Sequence, residues 1–170
     1  MKRFVRNAVV AAALIAVPTL FSAPAFAAAT AEAPKKAAAV DQVAYETEVV
    51  KLTNAERTAR GCKALRIDDR LVQAARAHSE DMVKQRFFDH TGSDGSNFVT
   101  REARAGYPRN GASAENIAYG YRTPQQVVTG WMNSSGHRKN ILNCSSIAVG
   151  VGLAFTSKGT PYWTQDFGRV

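Results

Sequence analysis

A chain of 170 residues with Lys+Arg 22 against Asp+Glu 14 carries a formal charge of +8. Its basic residues are scattered, without a Lys/Arg block or aromatic interleaving, which argues against a nucleic-acid binder. No later stretch matches the apolarity of the N-terminal run, and that run is itself short of the roughly 20 residues a membrane span needs.

Residues 1–7, MKRFVRN, hold three positive charges and no acid. An apolar run from Ala8 to about Phe21 leads to Ala25-Phe26-Ala27, an A-x-A processing pattern. Residues 1–27 are therefore expected to be a cleaved secretory signal, so the protein is expected to be secreted and extracellular. The mature chain keeps 19 basic and 14 acidic residues, a charge of +5. Such an excess suits a soluble basic surface and is compatible with anionic wall polymers. Residues 28–42, rich in Ala, Lys and Pro, form a predicted flexible linker. The segment 43–170 is long enough for one domain with a sizeable core.

In chain order, a helix is predicted from Tyr45 to about Ala59, ended by Gly61. A second, capped by Asp68 or Asp69, runs to about Arg86, with Leu71, Ala75, His78 and Met82 on one face. The loop Thr91–Ser96 follows, and Ser96 is expected to cap a short third helix ending before Gly106. Ala112–Tyr121 leans to strand. Thr123-Pro124 opens a fourth helix. Ser134 or Ser135 is expected to cap a fifth, with His137 in its first turn, where the macrodipole disfavours an imidazolium. From Ile147 to Phe155 bulky residues alternate with Ala148, Gly150, Gly152 and Ala154. That is a strand whose small face lets another element approach closely. A turn at Lys158–Pro161 and a strand from Tyr162 to Phe167 complete an antiparallel hairpin. The fold class is α+β, in layers.

Cys62 and Cys144, an even pair in an exported chain, point to a disulfide. Closing 82 residues would stabilise by about 4.5 kcal/mol on the loop-entropy model. The rival is two free or metal-bound thiols, although neither cysteine lies in a CxxC pair. His78 reads as a hydrogen-bonded core residue. His90 leaves a helix into a Gly/Ser loop, where side chains face a cleft. Glu115 sits among Ala, Asn and Ile, so it is either functional or paired with an arginine such as Arg138. Two His and one carboxylate can form a divalent-metal shell with room for water.

The motifs HSEDM (78–82), FFDHT (87–91), AENIA (114–118), GW (130–131), SSGHRKNIL (134–142), VGVG (149–152) and YWTQDFG (162–168) resemble the CAP superfamily. That superfamily takes in cysteine-rich secretory proteins, antigen 5 and pathogenesis-related 1 proteins, and the resemblance is to its bacterial SCP-domain branch. It covers about residues 45–168 and implies a three-layer α-β-α sandwich with a central antiparallel sheet and an open cleft. It also implies that His90, Glu115 and His137 are three of a cleft tetrad. The fourth member, a Glu one turn after the family's Trp, has no counterpart after Trp131, and Ala114 replaces the usual Gly. Some members bind zinc or another divalent cation at the two His; others bind sterols or fatty acids.

The expectation is thus a secreted, monomeric binding module whose cleft residues His90, His137 and Glu115 hold a divalent metal, zinc first, weakly. Its partner is an unidentified extracellular ligand, a cell-wall or lipid component. The alternative is a hydrolase of peptide, ester or cell-wall substrate, with neutral His137 or a metal-bound water as base, Glu115 orienting it, and Ser134, Ser135 or Thr91 as nucleophile.

Overall fold

The structure is a computed structural model and describes residues 41–170. The expected signal peptide and the linker as far as residue 40 lie outside the described residues. Helix α1 spans Gln42–Thr58, and the Asp41 side chain accepts from the Ala44 amide at its N-terminus. The helix thus starts just before Val43, because an N-cap precedes the apolar periodicity that betrays a helix. A two-residue strand β1, Arg66–Ile67, leads to α2, Asp69–Gln85. Asp68 is the N-cap of α2 and is held by the Arg66 and Arg70 guanidiniums. Arg86 ends α2 in the left-handed region at φ 59°.

Helix α3 is Phe98–Arg104, capped by Asn97 rather than the expected Ser96. The Ser96 amide is bound instead by the Asp94 side chain, which places it inside the preceding turn. Strand β2 spans Ala112–Tyr119, α4 Pro124–Asn133 and α5 Ser135–Ile141. Ser134 holds the N-cap position of α5, but its hydroxyl makes no capping bond. Strands β3, Ala148–Phe155, and β4, Pro161–Gly168, form the expected antiparallel hairpin.

The sheet order is β1-β3-β4-β2. β2, β4 and β3 pair antiparallel, and β1 adds a short parallel edge beside β3, with Arg66 opposite Ala148. Two residues are too few to show a period, so β1 leaves no sequence pattern. The fold is α+β, with helices on both faces of the sheet.

The two faces differ in chemistry. Against one lie α1, α4 and α5, and the core there is apolar: Val49, Val127, Trp131, Ile141, Val151, Leu153 and Trp163 are almost wholly buried. Against the other lie α2 and α3, and this interface mixes apolar Leu71, Ala75 and Met82 with polar His78, Ser79, Glu102, Thr164 and Asp166, all fully buried. The small residues of β3 make that second approach possible. A Cβ at Gly150 would stand 2.1 Å from the Leu71 carbonyl carbon, and one at Gly152 2.2 Å from the Arg76 nitrogen. Backbone packs directly on backbone, as the small-face pattern predicts.

Cys62 and Cys144 are bonded, with Cα atoms 5.0 Å apart. Beside this disulfide lies a feature that sequence reading missed. Arg57, fully buried, donates to the main-chain oxygens of Lys63, Ile141, Asn143 and Ser146. Burial lowers its pKa. The guanidinium thereby satisfies carbonyls at the C-terminus of α5, where the helix dipole favours a cation.

Candidate functional site

The loop after α2 carries His90, and buried hydrogen bonds fix it. His78 on α2 is fully buried, and its Nε2 lies 3.0 Å from the Asp89 carbonyl oxygen. A carbonyl only accepts, so Nε2 carries the proton. Burial keeps the His78 ring neutral by lowering its pKa. The Asp89 carboxylate accepts from the Thr91 amide at 2.7 Å, which closes the turn around His90. The ring of His90, with a side chain 56% exposed, places Nδ1 2.7 Å from Glu115 Oε1. Its Nε2 is the nitrogen left for a ligand. The hydrogen bond to Glu115 raises the pKa of His90, against an opposing effect of partial burial.

Glu115 faces the α2–α3 side of β2. Its second oxygen accepts from Arg101 Nη2 at 2.6 Å. The arginine partner is therefore Arg101 and not Arg138, which donates to the Met132 carbonyl instead. Side-chain alternation decides this: Glu115 projects toward the layer that holds α3, whereas Arg138 sits on α5. With both oxygens engaged, Glu115 orients His90.

His137 lies in the first turn of α5 and is placed through uncharged groups. Its carbonyl accepts from Asn116 Nδ2 at 3.3 Å, and Asn116 also donates to Gln165 Oε1. Gln165 Nε2 donates in turn to Thr53 on α1. Asn140, one helical turn after His137, donates to Asn116 and to the Glu115 carbonyl. Trp131 Nε1 donates to the Ile117 carbonyl, so α4 and α5 together close the free edge of β2. Burial first, and then the charge of His90, lower the pKa of His137. The neutral imidazole expected at this position is the favoured form.

His90 and His137 line one cavity of about 570 Å³, together with Phe88, Asp89, Tyr119, Tyr121, Trp131 and Ser134. Of the three candidate nucleophiles only Ser134 lines it. Among the described residues no set of three His, Cys, Asp or Glu side chains is arranged as a metal shell. The imidazoles that line the cavity are those of His90 and His137.

Two further acids stand behind Glu115. Asp166 is its cross-strand partner on β4, and Glu102 follows Arg101 on α3. Both are fully buried, and neither carboxyl has a hydrogen-bond partner among the described residues. Desolvation and the charge of Glu115 raise Glu102 to about 8. The same causes raise Asp166 well above an ordinary aspartate. The sequence offered a signal for Glu115 and Asp166, acids inside otherwise apolar or aromatic strand segments, and none for Glu102 on α3.

The family model of the cysteine-rich secretory protein (CAP) family matches residues 50–167. The chain belongs to the CAP family. A curated relative, the YkwD protein of Bacillus subtilis, is 48% identical over 126 residues, covering 73% of this chain and 47% of its own length. The Bacillus subtilis membrane protein YlbC is 34% identical over 126 residues, covering 74% of this chain and 35% of its own length. The chain thus spans less than half the length of either. A solved extracellular SCP-domain protein of Bacillus anthracis is 29% identical with a TM-score of 0.68, covering 76% of this chain and 41% of that one. An outer surface protein of Borrelia burgdorferi, 21% identical with a TM-score of 0.68 over 76% of this chain and 96% of its own, shares the fold. No helix of the described residues is long and apolar enough to cross a membrane.

Proposed function

We propose that this CAP domain is a secreted, monomeric binding module whose ligand, a component of the bacterial cell wall, enters the cleft between His90 and His137. The single observation that carries the reading is the His90–Glu115–Arg101 chain. A half-exposed imidazole is held in one orientation by a buried, charge-paired carboxylate at the wall of an open cavity. Such preorganisation serves recognition, because the side chain is ordered before the ligand arrives. Export is supported by the Cys62–Cys144 bond, which an oxidising compartment sustains. The experiment is retention of the purified chain on cell-wall fragments. Wild type should be retained and a folded His90→Ala variant should not; equal retention of both would refute the cleft as the binding site.

The same two imidazoles would hold a divalent cation, zinc first, with modest affinity, since only two imidazoles line the cavity. Zinc would add a positive charge that attracts anionic or carbonyl groups of a ligand. Binding needs unprotonated imidazoles, so calorimetric titration should show affinity at pH 7.5 and its loss at pH 5. Affinity unchanged by pH, or surviving in a His90→Ala/His137→Ala protein, would place the metal elsewhere. The hydrolase alternative is supported by one observation, that Ser134 shares the cavity with a neutral His137. No hydrogen bond joins the two side chains among the described residues, which is why binding is preferred. Turnover of a cell-wall, peptide or ester substrate that disappears in a folded His137→Ala variant would reverse that preference.

A further inference from the structure

The cleft is only half of a longer groove. A second cavity of about 740 Å³ adjoins it and shares Tyr121, Gly130 and Ser134 with it. The lining changes character along the way. At the histidine end three rings cluster on the surface: Phe88 meets Tyr119 edge-on at 4.8 Å, and Tyr119 stacks on Tyr162 at 5.6 Å. Tyr119 is 54% exposed and Phe88 43%, an arrangement that leaves apolar ring surface facing water. At the junction stands Tyr121, 40% exposed. Its carbonyl is fixed by Trp163 Nε1 at 2.8 Å. Its ring lies so close to Gly130 that a Cβ there would fall 2.6 Å from Cζ. The missing side chain at Gly130 is what gives that ring its seat. Beyond Tyr121, the second cavity is lined by Gln125, Gln126, Thr129, Asn133 and Ser134, with no charged side chain.

We propose that this groove binds an uncharged pyranose chain several sugars long, with rings seated on Tyr119 and Tyr121 and polar edges paired to Gln125, Gln126 and Asn133. The proposal rests on the reading of the cleft as a binding site and names its ligand class. The chemistry of the lining supports it. A pyranose has an apolar C–H face and a rim of hydroxyl or acetamido groups. Exposed aromatic rings cover the face, and amides that both donate and accept pair with the rim. A groove arm without charges gives an ionic ligand no partner for its desolvated charge. A lipid tail would leave the amides of the second cavity unsatisfied, since it offers them nothing to bond. Two cavities that share a wall, both open to solvent, suit a chain that runs from one into the other rather than a compact ligand.

The test is calorimetric or NMR titration of the whole chain with the hexamer of β-1,4-linked N-acetylglucosamine. The expected result is saturable binding, weakened about tenfold or more by Tyr119→Ala and by Tyr121→Ala and unchanged by the remote Lys158→Ala. Tyr119→Ala guards against a folding defect, because that ring is mostly exposed; Tyr121→Trp, which restores an aromatic face, should recover affinity. Absence of binding to the hexamer, or binding that ignores both tyrosines, would overturn the proposal. If wall fragments are still retained through His90 while the hexamer fails, the glycan assignment falls alone and a peptide or anionic wall component takes its place. If neither binds, the cleft reading falls with it.

Discussion

Glu115 is the residue on which the site turns. It holds His90 by one oxygen and Arg101 by the other, and its own side chain is almost wholly buried. Glu115→Gln should lower the pKa of His90, because the largest cause raising it is removed. An NMR titration of the imidazole Cε1–H signal reads this directly; an unmoved midpoint would deny the coupling. The same substitution leaves the Arg101 charge without its buried partner, so stability should fall by roughly 3 kcal/mol in urea denaturation. The prominence of Glu115 was legible in the sequence as a lone acid among apolar neighbours. Its partner was not. Arg101 lies 14 residues away on another element, and only the pleat of β2 decides which layer Glu115 faces.

Among the elements, β3 was the most legible and Arg57 the least. Alternation of Gly and Ala with Val and Leu predicts close packing on one face, and α2 lies there, against Gly150 and Gly152. Gly150→Ala should therefore cost about 3 kcal/mol, since the added carbon would overlap helix backbone rather than a movable side chain. A urea midpoint equal to wild type would show that α2 can retreat without cost. Arg57 carries no comparable signal. An arginine on an amphipathic helix ordinarily reads as exposed, and its four carbonyl partners lie as far away as Ser146. Arg57→Met should lose about 3 kcal/mol, because buried carbonyls are left without donors. The strand β1 was missed for a different reason, its two-residue length.

For the whole molecule, pH dependence follows from the buried acids. Glu102 is raised to about 8, whereas an unfolded glutamate titrates near 4.3. Between those values the folded state holds a proton that the unfolded state has lost. This group's contribution to stability is fully present below about pH 4.3 and declines, at up to roughly 1.4 kcal/mol per pH unit, toward pH 8. Asp166 acts in the same direction. Glu102→Gln should flatten the decline between pH 5 and 8 in denaturant titrations; an unchanged slope would mean that Glu102 ionises normally. The disulfide is a separate term. Cys62→Ser should lower stability by roughly 2–4 kcal/mol, and native protein should show no titratable thiol.

The amide chain from Thr53 through Gln165 and Asn116 to the His137 carbonyl contains no ionisable group. The attachments of His90, by contrast, run through a carboxylate and an imidazole. The cleft is in this sense a vice with one jaw bolted to the frame by neutral amides and the other held by a charged fastener. Removing that charge with Glu115→Gln should loosen the loop 87–91 while the main chain of 134–140 keeps its place. Amide hydrogen exchange of wild type and variant at the same pH should show protection lost in the first segment only; equal loss in both would mean that the two jaws are not independently held.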